Sequence, residues 1–583
     1  MTDGARSEPT GKGRQRRRVT WIALCGFVLA ALLLTSRLWW AGRHVSLAGP
    51  GRQDQNLFEW FFAHAAWSVT HLQNPLVADR LNVPDKVNVL ANTSMLGLGV
   101  LFTPVTLLFG AHLTFALVLI MGLAGTAFAW FRLLSNTSIL SPWAAACGAA
   151  VCGFGPGMVS HAGAHPNFVA QFMVPVILAR VMALCGPGNL LRNGALLAAA
   201  IVAQFFIGEE VLFITAVSCA VFFGTYAFVH RDTVRPLVPR CVAGLGIAAA
   251  FSAAALAYPV YVQFFGPASY RGIFESSNNA GSDLMAVVAH SSASLGGDVG
   301  RVHALFTNVV EENTFYSWPF LVLVSFGTAW CWSDRRVRVV GITAIVLIVM
   351  SLGPHLRFRG EQTEIPLPMS LIVNLPIFRV AIPARFGLAG LSALGVLVAF
   401  VVDAALREPP AVRRGWLAAI ATALIPLLPT PLSVSPRERT PAFFTKQAWA
   451  PYVEPGQSVV PVPLPNWDTD DMHWAAEAQL GYTLPRGYFH GPGGADRSSV
   501  ITPPHRYLSA LLDGVKYTRQ VPTLSPENRE AAMADLAYWN AGVVALVPNP
   551  AEKELREVLV DLLGEPVAAH GVLLWDLPVH PRL

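Results

Sequence analysis

Two carboxylates stand close together in the first long polar loop of this chain, within Gln53-Asp54-Gln55-Asn56-Leu57-Phe58-Glu59-Trp60. A carboxylate beside an acceptor hydroxyl can take its proton and act as a general base. The i, i+5 spacing puts Asp54 and Glu59 on different parts of a helix surface, so they are not a catalytic pair and one must dominate. Asp54 lies where the helix is expected to start. There a carboxylate also suits helix capping, so capping and base chemistry both stand for it. From Asp54 to Gln73 the stretch carries Phe58, Trp60, Phe61, Phe62 and Trp67, an apolar face suited to a membrane headgroup region.

Five further groups carry reactive side chains. Glu209 and Glu210 interrupt an apolar run. A carboxylate at mid-bilayer costs about 2.5–3.5 kcal/mol, so this point is a wet end or a hairpin between spans, and one of the pair can face a cavity. His161 and His165 flank the turn Ser160-His161-Ala162-Gly163-Ala164-His165-Pro166; their spacing would suit a metal on a helix, and Gly163 and Pro166 argue against a regular one. Hydrogen bonding to a phosphate or sugar, or plain turn polarity, are the other readings. Arg379 and Arg385 lie in a loop before a late span, and an arginine fork binds phosphate oxygens or snorkels to headgroups. Glu311, Glu312 and Tyr316, with His290 earlier in the same loop, could each line an outer cavity, and a solvated loop edge before a span is the favoured reading for any single one. In the tail, Trp467-Asp468-Thr469-Asp470-Asp471 is acidic and aromatic, as sugar-contact loops often are, and also reads as a helix start capped by Asp470 or Thr469. There is no P-loop, dinucleotide fingerprint, HExxH or nucleophile elbow.

The elements that must position these residues are mostly membrane helices. The 583 residues are 53% hydrophobic and 13% charged, against about 25% charged in a soluble domain. Apolar runs recur near 20–40, 112–133, 141–160, 167–184, 193–208, 211–229, 240–263, 318–333, 338–353, 386–405 and 415–432. The fold class expected is therefore an all-α polytopic membrane domain of about 11 transmembrane helices, each needing roughly 20 apolar residues. The segment 94–110 is short, is interrupted by Pro104, and reads as re-entrant or interfacial. The residues 433–583 alternate strand-like and helix-like runs and read as a small C-terminal α/β domain.

Arginines at 132, 180, 192, 231, 235, 240, 335, 336, 338, 407, 413 and 414 mark cytoplasmic ends by the positive-inside rule. They all fall inside only if 94–110 does not cross. A basic tail, 1–19, is then cytoplasmic, an uncleaved anchor follows, and the loops 41–111, 264–317 and 354–385 and the C-terminal domain lie outside the membrane. The net charge of +5 comes mainly from these arginines, so nucleic acid is not an expected partner. The seven cysteines lie in or beside apolar spans without metal-ligand spacing and read as small hydrophobes.

With these residues in place, the chain resembles a bacterial integral-membrane glycosyltransferase of the GT-C superfamily. The resemblance rests on the order of segments: QDQNLFEWFFAHAAWSV and then NPL in the first loop, a span ending near Arg132, HAGAHPNF, NVVEENTFYSWP, NLPIFRVAIPARFG, and a tail opening SVVPVPLP followed by a helix and GYF. It implies transfer of a sugar from a polyprenyl-phosphate donor to a glycan, glycolipid or protein acceptor of the cell envelope. It also implies that a first-loop carboxylate is the base or positions the acceptor, and Asp54 matches that position. Glu59, His161, His165, Glu209, Glu210, Arg379 and Arg385 are the candidate substrate contacts. Some relatives use a divalent metal; this loop has no adjacent acidic pair, and no cofactor is assigned. A transporter or lipid flippase and a non-catalytic envelope scaffold are the rival classes, the first expected to show repeated halves with broken helices.

Overall fold

A computed structural model describes residues 11–136, 139–272, 281–305 and 310–577; the first ten residues of the expected basic tail lie outside them. The chain is mostly helical with an α/β region at its C-terminal end. It divides into two compact units. The first takes in the N-terminal helix up to Trp40, Ala116–Ala254 and the described part of Ser276–Ser433. The second takes in Ala41–Phe115, 255–272 and the described residues from Val434 onward.

Among the described residues, five helices are long and apolar enough to cross a membrane: Gln15–Leu34, Ala111–Asn136, Glu209–Val229, Arg231–Phe265 and Pro383–Arg407. A bent pair, Pro142–Phe154 and Pro156–Ala162, meets at 42° and would make a sixth. Met173–Cys185, Leu190–Phe205 and Trp318–Trp330 are apolar but shorter. The chain is a multi-pass membrane protein, and helix length by itself supports fewer crossings than the hydrophobic runs led one to count. The segment 94–110 forms two short helices, Leu96–Leu101 and Thr103–Phe109. At about 1.5 Å per residue each covers roughly a third of the hydrocarbon layer.

Small residues set the closest helix contact of the first unit. Pro142–Phe154 packs on Phe386–Arg407 through Gly148 and Cys152 on one side and Gly395 and Ala399 on the other. A Cβ at Gly148 would lie 2.4 Å from the Gly395 carbonyl oxygen, and one at Gly395 would lie 2.6 Å from Cys152 Sγ. Apolar surface gives no preference for helix over lipid, so backbone approach of this kind supplies the association. Cys152 is buried, but Cys25 and Cys147 are exposed. Cys185 and Cys241 are joined in a disulfide with Cα atoms 5.3 Å apart. The reading of all seven as buried small hydrophobes is corrected there, because a pairing between residues 56 apart in sequence leaves no local signal.

In the second unit, the tail builds a four-stranded sheet from β1 (Ser458–Val462), β2 (Ala541–Leu546), β3 (Val567–Ala569) and β4 (Val572–Asp576), in spatial order β3-β4-β2-β1. β1 and β2 are parallel; the other pairs are antiparallel. Every residue of β1 and β2 is buried, as central strands covered on both faces must be. Helices Tyr507–Thr518, Pro526–Tyr538 and Glu552–Leu563 share one core with the sheet, through Leu512, Leu536, Leu555 and Val544. Sequence periodicity located β1, β2 and β4; the helix Tyr507–Thr518 and the edge strand β3 emerge only in three dimensions.

The Asp54 helix, Gly51–Thr70, belongs to the same unit. It was expected to lie in the headgroup region, but Phe58, Trp60, Phe61, Phe62, Ala63, Ala65 and Ala66 are all buried within the protein. Its aromatic residues are core on more than one side, and the helix packs on Leu96–Leu101, Thr103–Phe109 and the tail helix Asp471–Glu477. Gly99 permits the closest approach; a Cβ there would sit 2.8 Å from Ala65 Cβ.

Candidate active site

Asp54 is a first-turn residue. The helix starts three residues earlier, at Gly51, with Pro50 at the N-cap and no side-chain cap bond. Asp54 is thus not the N-cap residue, and a position in the first turn favours its negative charge. Asp54 is half-buried. Tyr488 donates its hydroxyl to Asp54 Oδ1 at 3.0 Å, and Gln53 Nε2 donates to Tyr488 Oη at 3.2 Å. Burial, then the Asp54 charge, pushes the Tyr488 phenol far above its usual value, so it stays a neutral donor.

Glu59 has another environment. It is fully buried and both oxygens are engaged. Oε1 accepts from Gln55 Nε2 at 2.6 Å and lies 3.0 Å from His112 Nδ1. Oε2 lies 2.5 Å from His473 Nδ1 and accepts from Arg437 Nη1 at 3.3 Å. Burial alone would raise its pKa; Arg437, His473 and His112 overcome this and hold it well below the usual carboxylate range. Arg437 also donates to Asn56 Oδ1 at 2.5 Å. Asp470, expected to cap its own helix, makes no cap bond. It accepts from Arg52 Nε and Nη2 at 2.9 and 2.6 Å and from Asn56 Nδ2 at 2.9 Å. A buried network of alternating charges thus ties one side of the Asp54 helix to the tail.

The first unit holds a second polar cluster. His161 sits in the last turn of Pro156–Ala162 and His165 just precedes the short helix Pro166–Val169. The helix ends between them, as Gly163 led one to expect, yet their Nδ1 atoms stand 3.1 Å apart. His161 Nε2 lies 2.7 Å from Asn313 Oδ1. Arg385 donates to Glu210 Oε2 at 2.5 Å and, through Nη2 and Nε, to Glu311 Oε1 at 2.5 and 3.1 Å. Its guanidinium lies 4.3 Å from the centre of the Phe168 ring. Glu311 is buried, not the solvated edge expected. Burial would raise its pKa, and Arg385, His161 and His165 hold it far below the carboxylate range. Glu312 is also buried and accepts from Ser292 N at 2.8 Å.

The structure therefore gathers His161, His165, Glu210 and Arg385 of the sequence candidates and adds Glu311, Asn313 and Phe168. Glu209 starts the helix Glu209–Val229 beside the cluster-bound Glu210, and Arg379 is exposed in a single 3-10 turn. His161, His165 and Glu311 offer ligand atoms within 4.8 Å of one another. Two imidazoles and a carboxylate suit a divalent transition metal, and Arg385 would compete for Glu311. Tyr488, Arg437 and His473 escaped the sequence reading. For Tyr488 the only signal was the GYF motif; for Arg437 and His473 there was none, since these two partners of Glu59 lie more than 370 residues away from it.

No family model matches the sequence, and no curated protein matches it. Solved structures do share its fold. The arabinofuranosyltransferase AftD from Mycobacteria matches with a TM-score of 0.59 at 15% identity, over 97% of this chain and 40% of that one. The archaeal oligosaccharyltransferase AglB from Archaeoglobus fulgidus, solved with an inhibitory peptide and a dolichol-phosphate, matches with a TM-score of 0.50 at 11% identity, over 92% of this chain and 70% of that one. The fold of this chain is thus one it shares with AftD and AglB.

Proposed function

We propose that the chain is a glycosyltransferase that moves a sugar from a polyprenyl-phosphate donor to a cell-envelope acceptor on the outer face of the membrane. The observation that carries the reading is the half-buried Asp54 in the first turn of the first-loop helix, accepting from Tyr488, in a chain that shares the fold of an arabinofuranosyltransferase. AglB was solved with a dolichol-phosphate, which belongs to the polyprenyl-phosphate class. In this reading Asp54 takes the proton of an acceptor hydroxyl. The hydroxyl oxygen then forms a bond to the anomeric carbon, and the bond from that carbon to the donor phosphate breaks.

The remaining candidates divide by what already holds them. Glu59 acts through position, since its carboxylate is spent on Arg437, His473, His112 and Gln55. Arg385 is engaged by two carboxylates, so the exposed Arg379 is the readier partner for a donor phosphate. Glu209 and Glu210 remain candidate contacts to the polar part of the substrate. A divalent ion held by His161, His165 and Glu311 would neutralise phosphate charge. The topology that accompanies the reading has about eleven crossings with 94–110 not crossing, the N-terminus cytoplasmic and 433–583 an outer domain.

Asp54→Asn tests it. The purified protein is reconstituted with a lipid extract carrying radiolabelled polyprenyl-phosphate sugars, and acid-stable product is counted. The variant should express normally and lose at least about 100-fold in rate, the lower range for a general base. Full activity would refute the assignment.

A further inference from the structure

A groove of about 780 Å³ lies within the second unit, on the tail. Its volume is in the range of about 300–1,000 Å³ usual for small-molecule sites. Trp467 and Tyr517, 53% and 54% exposed, stand in its wall, and Tyr488, Gln53, Asn466 and Asp513 line it with them. Trp467 is presented by a braced turn: Thr469 Oγ1 accepts from Asn466 N at 2.9 Å, and Asn466 Oδ1 accepts from Trp467 N at 2.8 Å. Tyr517 is fixed from behind, its hydroxyl donating to Asp468 Oδ2 at 3.0 Å while Lys516 Nζ donates to the same carboxylate at 2.7 Å. Two large aromatic side chains are thus held about half-exposed at the surface.

Asp513 is the second observation. It is 7% exposed, and its Oδ1 has no hydrogen-bond partner; Oδ2 faces His505 Nδ1 at 3.7 Å. A buried acceptor left unmade costs about as much as a hydrogen bond, and such exceptions call for a ligand or water. Burial pushes the Asp513 carboxyl above its usual pKa despite Arg486, Lys516 and His505 nearby, which favours a form able to donate as well as accept. Among the described residues the lining includes no Arg or Lys, and the nearby Lys516 is already engaged by Asp468, so the groove is not built for a phosphate or another anion. Aromatic faces for the C–H side of a sugar ring, with amide, carboxyl and phenol groups for its hydroxyls, define a site for a neutral polyol.

We infer that this groove is a carbohydrate subsite that holds a neutral oligosaccharide, the acceptor glycan, beside Asp54. The link to Asp54 is direct: Tyr488 and Gln53 line the groove, and Tyr488 donates to the Asp54 carboxylate. The word acceptor rests on the glycosyltransferase reading; sugar binding in the groove does not.

The test uses the full chain in phosphatidylcholine nanodiscs, which avoids sugar-headed detergents. Saturation-transfer NMR is run with arabinohexaose, galactohexaose and mannohexaose at ~1 mM, the upper end of usual KM values. At least one should receive saturation, and Trp467→Ala, a half-exposed site, should weaken it at least ~10-fold with no change in melting temperature. Tyr517→Ala should do the same. Asp54→Asn should keep saccharide binding and lose transfer. Saturation of none of the three, saturation unchanged in both aromatic variants, or binding of a serine-containing decapeptide in their place would overturn the groove assignment and leave the Asp54 base standing. Saccharide binding lost in Trp467→Ala, with full transfer in Asp54→Asn, would uphold the groove and sink the base.

Discussion

Arg437→Met is the sharpest probe of the network behind the Asp54 helix. Arg437 is fully buried, and its Nη1 is 3.3 Å from Glu59 Oε2. Two unit charges at that distance attract by about 5 kcal/mol at an effective dielectric of 20. The variant keeps the volume of the side chain and leaves Glu59 with Gln55, His112 and His473 but without its fixed cation. Breaking one half of a buried pair typically costs about 3–5 kcal/mol, which for a unit of this size lowers the melting temperature by roughly 6–20 °C.

The pH dependence carries a sign. In the native protein Glu59 sits well below its unfolded value. Its contribution is therefore present above the unfolded pKa of about 4.3 and lost as pH falls through the lowered folded value. In the variant, burial without Arg437 raises the folded pKa, so stability is greatest below the unfolded value and falls as pH climbs through the raised one. The deficit between the two proteins should widen from pH 5 to pH 8. The assay is thermal unfolding of the reconstituted full chain, followed by tail tryptophan fluorescence. The double variant Glu59→Gln/Arg437→Met should recover at least ~1 kcal/mol over Arg437→Met, since contacting charges are not additive. An unchanged melting temperature, or a deficit constant across pH, would refute the argument.

Three other outcomes follow from particular contacts. Asp471 is fully buried with both carboxylate oxygens unpartnered, and burial raises its pKa to about 7. Its stability contribution is present below about pH 4 and lost as pH rises through 7, so Asp471→Asn should stabilise the protein at pH 8, on the order of 4 kcal/mol, and do little at pH 4. Arg385→Lys cannot reach Glu210 and Glu311 together, and losing one charged hydrogen bond of about 1.5–3 kcal/mol should cut transfer roughly 10- to 100-fold; rates within twofold of wild type would remove Arg385 from the site. Gly148→Leu must separate Pro142–Phe154 from Phe386–Arg407, where a Cβ already meets backbone at 2.4 Å, and should cost about 1–3 kcal/mol or more by overpacking. Size-exclusion monodispersity and melting temperature report it, and an unshifted melting temperature would count against that packing.

Much of the candidate chemistry was legible in the sequence as residues without partners. Helical spacing puts Asp54 and Glu59 on different parts of one helix, and in the structure their environments differ: one is half-buried against a phenol, the other sealed in an ion network. The i, i+4 pair His161 and His165 was visible, and so was the helix break between them. The aromatic run from Phe58 to Trp67 was readable as helical but not as core, because a helix with apolar residues on more than one side looks alike in lipid, in the headgroups or in protein. Asp470 looked like a cap because capping is a local rule; Arg52 and Asn56 claimed it from more than 400 residues away.

The sequence by itself determined what is local and periodic. It gave the membrane character, from apolar runs of spanning length, and the order of the main tail elements, from alternating patterns and turn residues. It also gave the presence of a carboxylate at the start of the first-loop helix. Only the tertiary structure decided which side chains meet. Arg437 comes to Glu59, Arg385 to Glu311, Tyr488 to Asp54 and Cys185 to Cys241. Each pairing joins residues tens to hundreds of positions apart. Its favourable energy is a property of distance and burial, and neither leaves a mark on the neighbouring residues of the chain.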